Sequence, residues 1–191
     1  MELIFIRHGQ GEHTLNSPDS LQIQDPALTK EGVFQAQSLQ SQFNLNERDI
    51  VVISPVRRTL ETASILAKDI NCGKIVSPLV SPRMFPQNPE WKTLPCDRML
   101  NPKLIREQFP RFTIQEGLSE ELWTSGINTM TEQEFNLVAE TFLKWCKSQG
   151  AEHIYVVSHD GTINSYRQIM RGEKLTRKDF LKDAGWIKQS Y

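Results

Sequence analysis

The chain has 191 residues, a net charge of −1, and 38% hydrophobic and 24% charged residues, the composition expected of a soluble globular protein that buries its core in one domain. There is no global basic field to attract nucleic acid or an anionic membrane, and no apolar stretch reaches the length of a membrane span. Cys72, Cys96 and Cys146 follow no metal or disulfide spacing, the apolar run between Glu2 and Arg7 is too short for a signal peptide, and a reducing cytoplasm is the expected location.

Leu3 to Ile6 forms a short apolar run that predicts a buried strand, followed at once by Arg7-His8-Gly9. From Leu28 to Phe43 the apolar residues Val33, Ala36, Leu39 and Phe43 recur at helical spacing, with Thr29 as N-cap. Asp49 to Ser54 predicts a second strand, Thr59 to Ile70 a helix, and Lys74 to Val80 a third strand. Seven of the ten prolines lie between Pro78 and Pro110, so long regular elements are not expected there. Residues 81–128 are read as an excursion that faces substrate, with one short helix near Lys103 to Phe109. Trp91, Phe109, Phe112 and Trp123 are its expected wall residues. Thr131 and Glu134 form a capping box that opens a helix with Phe135, Val138, Ala139, Phe142, Trp145 and Cys146 inward, ending at Gly150. His153 to Val157 predicts a strand and Thr162 to Arg171 a helix. A short helix from Thr176 and a final strand are expected in the tail. Ile- and Val-rich strands alternating with helices predict an α/β fold, a three-layer α/β/α sandwich around a mainly parallel sheet.

Three segments carry chemistry. His8 stands at the carboxyl end of the first strand, where ligands bind in open α/β sheets. A neutral imidazole is a nucleophile able to form a covalent phospho-enzyme. Arg7 beside it would lower its pKa and bind phosphoryl oxygens. Ser54-Pro55-Val56-Arg57-Arg58 leads from the second strand into a helix. An arginine at such a junction can clamp a phosphate, and of two adjacent arginines only one can point into the site. Ser158-His159-Asp160-Gly161 repeats the geometry of the first segment. His159 could donate to the transferring group, and Gly161 would allow close backbone approach. His13 is expected to be a solvent-exposed loop histidine.

The order Arg-His-Gly, Ser-Pro-x-x-Arg-Thr, Ser-His-x-Gly, together with Leu28-Thr29-Lys30-Glu31-Gly32-Val33-Phe34-Gln35-Ala36, resembles the histidine phosphatase superfamily of phosphoglycerate mutase-like proteins over the whole chain. The resemblance implies one domain over residues 1–191, with His8 as nucleophile and Arg7, Arg58 and His159 completing the phosphate pocket. Gly9, Asp160 and Gly161 flank it. Neither a cofactor nor a metal is expected, and the partner is a small phosphomonoester. The chain departs from the family pattern twice. Thr14 stands where the family often has Asn, so Thr14 or Asn16 would line the phosphate. The family's Glu after the third strand is missing from Pro78 to Phe85, which leaves Asp97 or Glu90 as general acid. Asp97 is preferred because Pro95-Cys96-Asp97 resembles a signature of a divergent branch. Arg83 is expected to add a positive contact to substrate. Phosphatase activity is the resulting expectation. The competing readings are a mutase, a metal phosphohydrolase using His159-Asp160, and a non-catalytic phosphate-binding member.

Overall fold

A computed structural model describes all 191 residues. The strands are β1 (Glu2–Arg7), β2 (Ile50–Ile53), β3 (Gly73–Val76), β4 (Thr113–Ile114), β5 (His153–Ser158) and β6 (Trp186–Ser190). They form one sheet in the order β4-β3-β2-β5-β1-β6. Every pairing is parallel except β1 with the edge strand β6. The helices are α1 (Lys30–Gln40), α2 (Arg57–Leu66), α3 (Pro102–Gln108), α4 (Glu120–Ser125), α5 (Glu132–Ser148) and α6 (Asp160–Arg171).

Successive side chains of a strand point to opposite faces, and the sheet's two cores divide accordingly. Ile4, Ile6, Val51, Ile53, Tyr155 and Val157 pack with Leu39 of α1, Leu60 and Ala63 of α2 and Ile105 of α3. Leu3, Phe5, Val52, Ile154 and Val156 pack on the other face with Phe135, Ala139 and Phe142 of α5 and Ile163 and Tyr166 of α6. The result is the three-layer α/β/α sandwich expected from the sequence. The central strands are buried on both faces, which is why they read as continuous apolar runs rather than alternating ones.

Local chemistry trims several elements. The strand expected over Lys74 to Val80 stops at Val76, because Pro78 cannot donate to a ladder. Ser77 instead caps a 3-10 turn over Pro78–Val80, accepting from the Leu79 amide at 3.2 Å. The helix expected from Thr59 begins at Arg57. The Thr131–Glu134 capping box is present and opens α5. The tail holds a 3-10 turn at Arg177–Asp179 instead of a helix, then β6. The short strand β4 and the helix α4 were not anticipated. β4 is two residues long and carries no apolar run. α4, capped by Ser119, buries no residue completely.

The Leu28–Ala36 stretch has a mechanical explanation. Thr29 donates its amide to the Gln10 carbonyl at 3.0 Å, and Gln35 Oε1 accepts from the Gln10 amide at 2.8 Å. A Cβ on Gly32 would collide with the Gln10 carbonyl, and one on Gly9 would meet the Gly32 carbonyl at 2.5 Å. Helix α1 is therefore a clamp on the loop that carries His8. Gly32→Ala would gain up to about 1 kcal/mol of helix propensity. Backbone overpacking costs about 1–3 kcal/mol and cannot be relieved by a side-chain rotation. We expect Gly32→Ala to lower stability in urea unfolding and to reduce turnover, as the His8 loop shifts.

Candidate active site

The register of the parallel strands assembles the site. β1 and β5 pair with Arg7 opposite Ser158, so the next residues, His8 and His159, stand side by side. The His8 amide donates to the Ser158 carbonyl at 3.1 Å. β2 is the other neighbour of β5, and the Ser54 amide donates to the Val157 carbonyl at 3.1 Å. Three adjacent strand ends thus deliver His8, His159 and the entry to α2. Their rings are close, with centroids of His8 and His159 5.2 Å apart and those of His8 and His13 5.5 Å apart.

Arg58, only 1% exposed, lies between the two strand-end histidines. Its Nε donates to His8 Nε2 at 3.2 Å and its Nη2 to His159 Nδ1 at 3.2 Å. Its Nη1 donates to the Cys96 carbonyl at 2.6 Å, and Nη2 also pairs with Asp97 Oδ1 at 2.8 Å. Arg57 turns the other way, onto Asp25 and Gln108.

Because a guanidinium can only donate, these contacts fix both tautomers. His8 Nε2 must be an acceptor, so the ring proton sits on Nδ1 and is donated to the Gly9 carbonyl at 2.7 Å. His159 Nδ1 is likewise an acceptor, so its Nε2 donates to Ser54 Oγ at 2.8 Å. Burial, followed by the Arg58 charge, holds both histidines well below their ordinary pKa. Both are therefore neutral near pH 7. His8 presents an unprotonated Nε2, the form a nucleophile requires.

Arg7 is held by Asp160 and Asp183, each at 3.2 Å, and by the Leu181 carbonyl at 2.6 Å. Its Nε is buried and has no partner. Gly9 sits under Thr62, whose Oγ1 accepts from its amide at 3.2 Å and donates to the Arg58 carbonyl at 2.7 Å. Arg7, His8, His13, Arg58, Asp97 and His159 all line one cleft of about 780 Å³.

Other expected residues are placed differently. Thr14 reaches the cleft rim, but its hydroxyl donates to the Gly11 carbonyl at 2.8 Å. Asn16 is exposed and does not line the cleft, because Ser20 bonds both its backbone amide and the His13 carbonyl and turns the loop away. Arg83 borders the cleft, yet its guanidinium is directed into the body of the protein. It donates to the Ile127 and Met130 carbonyls, pairs with Glu132, and lies 4.2 Å from the centroid of the Phe135 ring. Gly161 is needed for packing: a Cβ there would strike the Arg83 carbonyl. Glu90 is exposed on the rim and bonds none of the pocket's histidines or arginines. Of the four aromatic residues expected to form the wall, only Trp91 lines the cleft. Phe109 and Phe112 stack on each other at 5.7 Å, and together with Trp123 they join the core beside α2.

Two residues were misjudged or missed in the sequence. His13 is buried, and its pKa is pushed down to about 3, first by burial and then by the Arg58 and Arg7 charges. Ser54 Oγ accepts from His159 Nε2 and holds that ring in place, and the signal was available: it is the serine of the Ser-Pro-x-x-Arg segment at a strand end. No group of three or more His, Cys, Asp or Glu side chains is arranged to hold a metal ion.

A description of the histidine phosphatase superfamily (branch 1) matches residues 3–182. The chain belongs to the histidine phosphatase superfamily. Its chemistry is that of a phosphoric monoester hydrolase. No curated protein matches it in sequence. Among solved structures, it is similar to phosphoserine phosphatase from Entamoeba histolytica in complex with 3-phosphoglyceric acid. The two are 24% identical, the match covers 98% of this chain and 89% of that one, and the TM-score is 0.63. It is also similar to alpha-ribazole phosphatase from Shigella flexneri (20% identity, 98% and 89% covered, TM-score 0.61). A third similar structure is mycobacterial glucosyl-3-phosphoglycerate phosphatase with VO3 (18% identity, 99% and 92% covered, TM-score 0.62). At these identities the likeness is one of fold.

The pocket therefore sets buried cationic side chains around a neutral imidazole. Ring-nitrogen NMR should show His8, His13 and His159 neutral at about pH 6 in the free histidine phosphatase, where an unperturbed imidazole is largely protonated. A His8 signal titrating near 6.5 would contradict the pocket electrostatics.

Proposed function

We propose that the protein hydrolyses a phosphomonoester in two displacements at His8, with residues 1–191 working as one domain in the cytoplasm and residues 81–128 contributing the substrate wall. The observation that carries this reading is the Nε2 atom of His8, unprotonated and facing Arg58 in a buried pocket at three converging strand ends. Phosphoryl transfer needs little beyond positioning and charge stabilisation. Arg58 and Arg7 bind the phosphoryl oxygens, the Arg58 Nε–H passing from His8 Nε2 onto one of them and so freeing the Nε2 lone pair. Nε2 attacks phosphorus in line, the N–P bond forms, and the P–O bond to the leaving group breaks. Water then attacks the phosphohistidine, the N–P bond breaks, and inorganic phosphate leaves. His159 becomes a donor once the arriving dianion favours a second proton on its Nδ1.

Asp97, a carboxylate paired with Arg58 through Oδ1 in the free protein, takes the proton of the entering phosphate monoanion on Oδ2, delivers it to the leaving oxygen, and later takes one from the attacking water. Of the carboxyl groups that touch Arg7 and Arg58, Asp183 does not line the cleft, and Asp160 is engaged through both oxygens, by Arg7 and by the Gly161 amide. Asp97 is engaged through Oδ1 alone and is partly open to the cleft. Three free, buried cysteines suit a reducing compartment, and no helix is long and apolar enough to cross a membrane.

The test is hydrolysis in the presence of EDTA of two esters, p-nitrophenyl phosphate and an alkyl phosphate. His8→Ala should lose about 10⁴-fold or more on both. Asp97→Asn keeps an acceptor for Arg58 while removing the transferable proton. It should lose about 10²–10⁴-fold on the alkyl ester and far less on the nitrophenyl ester, whose leaving group needs no proton. Equal losses on the two esters would remove Asp97 as the acid, and activity abolished by EDTA would point to a metal mechanism.

A further inference from the structure

The cleft extends well past the phosphate pocket, and its outer part has two features that holding a phosphoryl group does not require. The first is apolar and flat. Trp91 is 48% exposed and Leu94 38% exposed, and Phe85 lies against Phe180 with ring centroids 5.9 Å apart; all four line the cleft. Phe85 also sits next to Gly161, at the edge of the phosphate site. The second feature is charge. Lys92 and Arg177 line the same cleft and form no ion pair, whereas Arg7, Arg57, Arg58 and Arg83 are each paired with a carboxylate. The guanidinium of Arg177 lies 5.8 Å from the centroid of the Phe180 ring, so the aromatic wall itself carries a cation. In a chain of net charge −1 these two charges are a local device.

A phosphorylated three-carbon acid would leave most of a cleft of about 780 Å³ empty and the aromatic side chains in water. Flat apolar walls favour a ring, which stacks on them or meets them edge to face. Unpaired cations beside such a wall favour an anion carried on that ring. Resting on the phosphatase reading above, we infer that the substrate is a phosphomonoester built on an aromatic ring that bears a second anionic group. The ring would lie against Trp91 and the Phe85–Phe180 pair, and the second anion would meet Lys92 and Arg177.

Non-hydrolysable phosphonates test this without dependence on leaving-group chemistry. Calorimetric Kd values would be compared for methylphosphonate, benzylphosphonate, para-carboxybenzylphosphonate and 3-phosphonopropionate. The expected order is a gain of at least about fivefold from methyl to benzyl, and of at least about fivefold more with the para-carboxylate. 3-Phosphonopropionate, which has the second anion but no ring, should bind more weakly than the carboxybenzyl compound. Trp91→Ala should shrink the methyl-to-benzyl ratio, and Lys92→Ala with Arg177→Ala should shrink the benzyl-to-carboxybenzyl ratio. Each ratio is read within one protein, so a general loss of affinity cancels. Trp91, Lys92 and Arg177 are all exposed, so these variants should fold. Gains below about fivefold, 3-phosphonopropionate binding as tightly as the carboxybenzyl compound, or ratios that survive the substitutions would overturn the inference. Binding needs no turnover, so failure of the phosphatase reading would show separately, as absent hydrolysis of p-nitrophenyl phosphate.

Discussion

One buried guanidinium organises this site. Arg58 is almost wholly enclosed, and a buried charge is tolerated only when its donors are matched. Its partners here are one carboxylate, one backbone carbonyl and two imidazoles. The two imidazoles accept because they are neutral, and they are neutral because of burial first and the Arg58 charge next. The same contacts that satisfy Arg58 therefore prepare His8 as a nucleophile and fix the ring of His159. They also tie the Cys96–Asp97 turn, which belongs to the irregular excursion, onto the rigid sheet.

The sheet makes that arrangement possible. β2, β5 and β1 are adjacent and parallel, so their carboxyl ends lie on one edge, and one residue from each junction reaches the same point. Helix α1 holds the His8 loop from the side through Thr29, Gly32 and Gln35. The regular part of the fold fixes the chemistry, while the proline-rich segment, which brings Trp91 and Lys92 to the cleft, shapes what can enter.

The same division explains what could be read from the sequence. The apolar runs of β1, β2 and β5 and the capped helix α5 have strong periodicity and clear stops. His8, Arg58 and His159 sit at their junctions, so their convergence was legible. On irregular segments Asp97 and Trp91 reach the cleft as expected, but other residues there are placed otherwise than expected, because tertiary contacts aim their side chains. Arg83 is captured by carbonyls 44 and 47 residues away and by the ring of Phe135. Asn16 is turned outward by Ser20, and His13 is turned inward beside His8. β4 left no trace because a two-residue edge strand needs no apolar run of its own.

The central claim is a covalent phosphoryl group on His8. Turnover of a radiolabelled phosphomonoester, quenched within the steady state and mapped by peptide, tests it most directly. The expected result is label that is stable in base, labile in acid, confined to the peptide containing His8 and absent from His8→Ala. Label that is lost in base and maps to Asp97 or Asp160, or steady turnover with no trapped label under any quench, would contradict it.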